Sequence, residues 1–337
     1  MAKGWRWLLG IVLVAVVVGA VVWYTPTSEY VILPGITANL NQIVKVQGGK
    51  PTAKGRLLMV AVDLQQANVL YYLVGRYTPY GELVPASELL GPGVSEQQYE
   101  EENQALMSQS HEMAKVAALQ ALGYPAHETG KGVLVYGTEQ GTPAAGKLQP
   151  NDVVTAVDGT PLHLDQDLLN YMGHVTPGQD LTLTVLRHGQ DQNVKIGTVK
   201  STTEKNHAMI GALIGTYKVG YVIPKQISIS TGSISGPSAG MMFSLEIINQ
   251  LDPKLDLAHG MTVAGTGTID AFGNVGAIGG VKEKVETVFD SGAKVFLVPR
   301  GDYSDAVSEA KAIGITGKMR IIPVGTLKQA LSALKSL

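Results

Sequence analysis

The sequence predicts an α+β chain with three principal parts, the second reached through a connecting segment of strands and a long helix. These are an N-terminal transmembrane helix, a β-rich middle domain, and a C-terminal α/β domain. Three observations carry this reading. Residues 7–24 are an uncharged, apolar run. From about His127 to Lys200, short apolar stretches alternate with turn residues. From Ser201 onward, strand-like runs alternate with longer helical ones. At 337 residues, 45% hydrophobic and 16% charged, the chain is long enough for two or three domains with their own cores. A net charge of -2 gives no global electrostatic case for nucleic acid. Cysteine is absent, which excludes disulfides, thiolate metal sites and a cysteine nucleophile.

The first part, residues 1–27, reads as a cytoplasmic N-terminus and a membrane anchor. The run of about 18 residues approaches the ~20 needed to cross a bilayer as a helix. Trp5, Trp7, Trp23 and Tyr24 stand at its ends, as interfacial aromatics do. Lys3 and Arg6 precede it, so the N-terminus is expected in the cytoplasm and all that follows outside the cell membrane. The lipid bilayer is the partner expected for residues 7–24. A cleaved signal peptide is the alternative, but no small-x-small site precedes the bulky Val21-Val22-Trp23-Tyr24.

Residues 28–125 read as extracytoplasmic strands and a long helix leading towards the last domain. Glu29 to Gly35 suggests a strand ending in a turn, and Gly55 to Val62 a second strand. Ser95-Glu96-Gln97-Gln98 is a capping box for a helix running to about Leu122, stopped by Gly123 and Pro125. Tyr99, Leu106, Met113 and Ala117 are expected on its inner face. His111-Glu112 opens like a zinc-protease motif, but Lys115 stands where the second histidine belongs, so no metal is expected.

Residues 126–200 form the middle domain. Gly132 to Tyr136 and Leu181 to Arg187 are strand-like, Val157-Asp158-Gly159 is a tight turn, and Leu164 to Met172 is helical. Thr142-Pro143-Ala144-Ala145-Gly146, Pro150-Asn151-Asp152 and Val157-Asp158-Gly159 resemble a PDZ domain of the kind attached to exported bacterial proteases. That resemblance implies an open sheet edge to which an extended peptide adds as a strand. The edge is expected at Gly132, Val133, Leu134 and Val135; the alternative is an edge-protected spacer. Gly141 to Leu148 nearly fits a phosphate loop, but Leu148 replaces the hydroxyl residue that binds magnesium and a strand follows where a helix should. No ATP and no cofactor are expected.

In the last part, residues 201–337, the informative stretch is Ser235-Gly236-Pro237-Ser238-Ala239-Gly240. Pro237 suits a first helical turn, where its missing N–H costs nothing. Free amides and the positive end of a helix dipole gather around Ser238, which suits a developing oxyanion. The pattern also fits a nucleophile elbow. That reading lacks its partners: His259 is the one later histidine, with Glu246, Asp252 and Asp256 crowded before it. Lysine is the other available base. Lys282 and Lys284 follow a glycine-rich turn and face different sides of one helix. A desolvated lysine loses its proton more readily and can take one from a serine.

Gly236 to Gly240, Gly279-Gly280-Val281-Lys282-Glu283-Lys284, and Ser291 to Pro299 together resemble the proteolytic domain of Lon-type proteases, in that family's order and near its spacing. The resemblance implies Ser238 as nucleophile and Lys284 as base. It implies Thr266 as the residue that helps orient the lysine, with Gly236, Pro237 and Ala239 shaping the turn. Two positions depart from the family pattern: Ser235 replaces an acid, and Thr268 replaces a glutamate. The function so implied is a membrane-anchored, ATP-independent serine endopeptidase acting on extracytoplasmic peptides or unfolded proteins. A catalytically silent peptide-binding scaffold with the same fold is the alternative. The resemblance also implies a homo-oligomer, since Lon-type domains often form rings.

Overall fold

The computed structural model describes every residue except 1, 52, 53, 78–80, 202–206 and 253, and leaves out the side chains of 2–6, 8 and 9. The chain divides into two compact units, one made of Met1–Pro125 with Ile223–Leu337 and the other of Ala126–Val222.

The first unit opens with helix α1 (Ala2–Tyr24). From Ile11 to Val21 its large apolar side chains are exposed. Among the described residues no helix is long and apolar enough to cross a membrane. The transmembrane helix expected through residues 7–24 is therefore not met within that set. The flanking Lys3, Trp5 and Arg6 have side chains outside it. Strand β1 (Pro26–Asn39) then pairs antiparallel with β2 (Arg56–Asn68). The turn expected at Pro34-Gly35 is instead an irregularity inside β1, between Leu33 and Ile36. Proline cannot donate to the ladder, and a bulge tolerates it. Glycine is required beside it, because a Cβ on Gly35 would lie 2.3 Å from the Ala61 carbonyl oxygen. Helix α2 (Val69–Tyr77) and strand β3 (Glu82–Pro85) follow, with β3 paired to β1.

Helix α3 (Glu96–Ala121) starts at the expected capping box. Ser95 Oγ accepts from the Gln98 amide, and Gln98 Oε1 accepts from the Ser95 amide. Its buried stripe runs through Met107, Ser110, Ala114 and Ala117, with Val116, Ala118 and Leu119 also buried at the C-terminal end. Of the residues expected on the inner face, Ala117 is buried, Tyr99 and Met113 are half-buried and Leu106 is exposed, so the face is rotated from the expected one. The stripe contains a serine and two alanines, and apolar periodicity underweights such residues.

The second unit is closed by strand β4 (His127–Thr129), which pairs with the unit's last strand near Val222. Strand β5 (Val133–Thr138) is followed by β6 (Val153–Val157), helix α4 (Asp165–Met172), β7 (Asp180–Arg187) and β8 (Gln190–Gly197). Asp158 and Gly159 both take positive φ, as a tight hairpin turn demands. Strand β9 (Ala212–Thr216) joins the same sheet, in the order β8-β7-β6-β5-β9. Strand β10 (Gly220–Val222) then pairs with β4. The sequence boundary at residue 200 thus falls short of the unit's end. The 208–216 segment is not assigned from the sequence, and nothing local in it says which sheet it completes. Lys147, the lysine of the near-phosphate loop, donates to the Lys195 carbonyl at 2.9 Å, and Leu148 is buried in this unit's core. Arg187 forks onto the buried Asp152 at 2.6 and 2.7 Å. Burial pushes that carboxyl up, but the Arg187 bonds and the Gln149 amide outweigh it and hold it below the usual range.

The chain then returns to the first unit. A 3-10 turn (Pro237–Ala239) runs into helix α5 (Gly240–Leu251), and strand β11 (Thr262–Gly265) follows. Helix α6 (Val281–Asp290), strand β12 (Val295–Pro299), helix α7 (Tyr303–Ala312), strand β13 (Arg320–Val324) and helix α8 (Leu327–Lys335) complete it. One mixed sheet runs β13-β12-β11-β2-β1-β3. The parallel pairing of β11 with β2, Val263 opposite Leu57, joins the two halves of the chain. Residues 28–125 are therefore part of the same unit as Ser238, where the sequence segmentation made them a connection. Long-range strand pairing of this kind leaves no local signal.

Candidate active site

Helix α5 is buried on every side, which fixes where its N-terminus lies. Phe243, Met241 and Met242 are fully buried, and Ser244 Oγ donates to the Ala114 carbonyl of α3 at 3.1 Å. The turn ahead of α5 is held from three directions. The Gly236 amide donates to the Asn103 carbonyl at 3.1 Å. Ser110 Oγ donates to the Pro237 carbonyl at 3.1 Å. The Gly267 amide and Thr266 Oγ1 both donate to the Ser238 carbonyl, at 2.6 and 3.1 Å. Two glycines are sterically required. Gly236 has φ 90°, a region that side chains disfavour. A Cβ on Gly240 would lie 2.7 Å from both Ile269 Cγ2 and Ser110 Oγ.

Lys284 arrives from α6. Val281, Val285 and Val288 of that helix pack on the core with Leu58, Val60 and Phe296. The bulged β1 also grips it, since the Gly35 amide donates to Thr287 Oγ1 at 3.0 Å. Gly280, in the left-handed region, ends the preceding loop. This seating separates the two lysines left open by spacing alone. Lys282 is 54% exposed and lies 3.8 Å from the Glu82 carboxylate. Lys284 is 2% exposed, with Nζ 3.1 Å from Ser238 Oγ and 3.3 Å from Thr266 Oγ1.

Burial lowers the Lys284 ammonium from 10.5 to about 8, against the upward pull of the Asp302 and Glu283 carboxylates. Asp302 is itself pushed up by burial while its Oδ2 accepts from the Ile278 amide at 3.1 Å. Burial also raises Glu283, whose Oε2 has no hydrogen-bond partner among the described residues. The arrangement is a half-buried hydroxyl at the mouth of a helix, touching an amine that burial lets shed its proton near pH 8.

Ser238, Lys284 and Thr266 thus come together, with Gly236, Pro237 and Ala239 forming the turn around the hydroxyl. Gly132, Val133, Leu134 and Val135 lie in the other unit. Val133 and Val135 are buried in its core, and the edge expected to receive a peptide is paired with β9 of the same chain. His259, the candidate of the elbow reading, is hydrogen-bonded to the Leu334 carbonyl at 2.9 Å. Lys115 pairs with Glu112 at 2.7 Å, and no cluster of three metal-binding side chains occurs among the described residues. Sequence reasoning missed Asn103, Ser110 and Asp302. Ser110 had a faint signal, a hydroxyl between Met107 and Ala114 at helical spacing.

A family model of the Lon protease (S16) C-terminal proteolytic domain matches residues 219–336. Over those residues the chain is similar to a Lon-type proteolytic domain, which supports a serine protease. A PDZ domain model matches residues 110–198, overlapping the second unit and the end of α3. The Lon protease of Mesomycoplasma hyopneumoniae is 34% identical over 105 residues, which is 31% of this chain and 12% of that protein. The archaeal Lon protease of Methanocaldococcus jannaschii is 38% identical over 104 residues, 31% of this chain and 14% of that protein. This chain therefore spans only a small part of the length of the Lon proteases it matches. A solved PDZ domain of the SdrC-like protein Lin2157 from Listeria innocua is 23% identical, covering 25% of this chain and 92% of that one, with TM-score 0.23. Ser238, Thr266 and Lys284 all fall inside the Lon-type match, whereas Asn103 and Ser110, which hold the serine turn, fall outside it.

Proposed function

We propose that the chain is a membrane-anchored serine endopeptidase that works without ATP through a Ser238–Lys284 dyad. The observation that supports this most is the buried Lys284 Nζ within 3.1 Å of Ser238 Oγ. Neutral Lys284 takes the serine proton as Oγ bonds to the peptide carbonyl carbon. Charge then develops on the carbonyl oxygen, and amides at the open start of the Pro237–Ala239 turn stabilise it. The tetrahedral adduct collapses, the peptide C–N bond breaks, and the lysine ammonium returns its proton to the leaving amine. Water attacks the acyl-enzyme with Lys284 again as base and frees Ser238. Thr266 Oγ1, bonded to both the lysine and the serine carbonyl, keeps the two in register.

The same reading sets α1 in the cell membrane, its exposed valines, Ile11 and Leu13 facing lipid, with the N-terminus cytoplasmic and the protease outside. On this reading the substrates are peptides or unfolded proteins, the extended chains that a PDZ-like unit takes. Purified Ser238→Ala and Lys284→Ala chains should each fail to cleave an unfolded test protein that the parent degrades. Undiminished turnover in either removes that residue from the mechanism. Alkaline carbonate extraction of membranes tests the anchor: the chain stays in the pellet, and release into the supernatant contradicts the placement.

A further inference from the structure

In the second unit, β9 lies antiparallel along the edge of β5, with Thr216 opposite Val133 and Ala212 opposite Thr138. The pairing continues past the strand end: the Tyr217 amide donates to the Gly132 carbonyl, and the Lys131 amide to the Tyr217 carbonyl, both at 2.8 Å. Along its other side β9 meets α4. Thr216 Oγ1 donates to Asp165 Oδ1 at 2.9 Å and accepts from the Asp165 amide at 3.2 Å. Ala212 and Ile214 rest on the same core as Tyr171 of α4. This is how an extended peptide fills a groove between a sheet edge and a helix: main-chain bonds on one side and alternate side chains in pockets.

The holding is modest. The strand has five residues, a register irregularity between Leu213 and Ile214, and an outward Leu213 that is 65% exposed. Only Ala212 and Ile214 bring apolar weight to the groove, and both are half-buried. The strand is tethered before its first residue, where the Glu139 and Ala144 amides donate to the Gly211 and Ile210 carbonyls at 2.9 and 2.8 Å. It is tethered beyond its last by the β4–β10 pairing. A segment fixed at both ends and lightly held between them can leave the groove without unfolding the unit.

We propose that β9 is a built-in ligand of the β5–α4 groove, and that the groove takes an outside peptide only by strand exchange with it. The incoming partner is an extended peptide with apolar residues two apart, followed by a small residue and a hydroxyl to meet Asp165. This does not depend on Ser238 cleaving anything.

The probe is a fluorescein-labelled peptide with the sequence of residues 209–217, read by anisotropy against the full chain in detergent. A Ser238→Ala background keeps the probe intact. Ile214→Asp should tighten binding at least tenfold over the parent by loosening the incumbent strand. Thr138→Cys with Ala212→Cys joins two register partners in a chain with no other cysteine. The oxidised pair should bind at least tenfold more weakly than the same protein reduced. If oxidation leaves binding unchanged, the peptide sits elsewhere and the proposal fails. If a folded Ile214→Asp chain binds no more tightly than the parent, β9 is a permanent strand and the proposal fails likewise. Should Ile214→Asp not fold, the oxidised-to-reduced ratio alone decides.

Discussion

The dyad makes a quantitative demand on pH. Lys284 is 2% exposed and its ammonium is lowered from 10.5 to about 8 by burial. At pH 7 a group of pKa about 8 is neutral about 9% of the time, against about 0.03% at the ordinary value. The folded protein thus supplies about 300 times more free base than an exposed lysine, equivalent to about 3 kcal/mol at ~1.36 kcal/mol per unit. Initial rates on a short quenched-fluorescence peptide should rise about tenfold in kcat/KM between pH 7 and a plateau above pH 9, with a midpoint near 8. Lys284→Met should be inactive across the range. It should nevertheless be at least as stable as the parent at pH 7. The buried lysine's folded pKa lies below its unfolded value, so its penalty is full below about pH 8 and fades as pH rises towards 10.5. A flat profile from pH 6.5 to 9.5, or a midpoint above 10, would rule out buried Lys284 as the base.

Three further outcomes follow from the same surroundings. Asp302→Asn removes a carboxylate that favours the Lys284 ammonium while keeping an acceptor for the Ile278 amide. The kcat/KM midpoint should therefore move to lower pH, and an alkaline move contradicts the assignment. Glu246 is fully buried on α5, and burial raises its carboxyl to about 7, against the Gln250 bond that favours the charge. Its folded value lies above its unfolded one, so stability is complete below about pH 4.5 and falls as pH rises towards 7. Glu246→Gln should stabilise the protein at pH 8 by up to about 3 kcal/mol, seen by circular dichroism as a higher thermal midpoint, and give no gain at pH 4.5. Gly240→Ala forces a methyl to within 2.7 Å of Ile269 and Ser110. It should cost roughly 1–3 kcal/mol and depress kcat through the displaced serine turn, and a fully active, undestabilised variant contradicts the packing argument.

The local elements of this protein are written plainly in its sequence. The Ser95 capping box, the α5 and α6 helices and the buried strand Val295–Pro299 come from short-range patterns, and so does the loop that carries Ser238. The choice between Lys282 and Lys284 needed more. Spacing placed them on different faces, but the packing of Val281, Val285 and Val288 decides which face is inward. What the sequence hid is non-local. Nothing around Leu57 announces that it pairs with Val263, about two hundred residues away, or that the first 125 residues share a sheet with the last third. Asn103 contributes through its backbone carbonyl, which any residue would supply, so its identity carries no signal. Strand β9 goes unread in the sequence, and only its register against β5 shows that it fills the groove an outside peptide was expected to take.

The most direct measurement is active-site labelling with a serine-directed peptidyl phosphonate at pH 8, with the adduct located by peptide mass spectrometry. One adduct is expected, on Ser238, formed by the parent chain and absent from a folded Lys284→Met chain. Equal labelling of Ser238 in both chains, or no adduct on Ser238 in the parent, would contradict a lysine-activated serine.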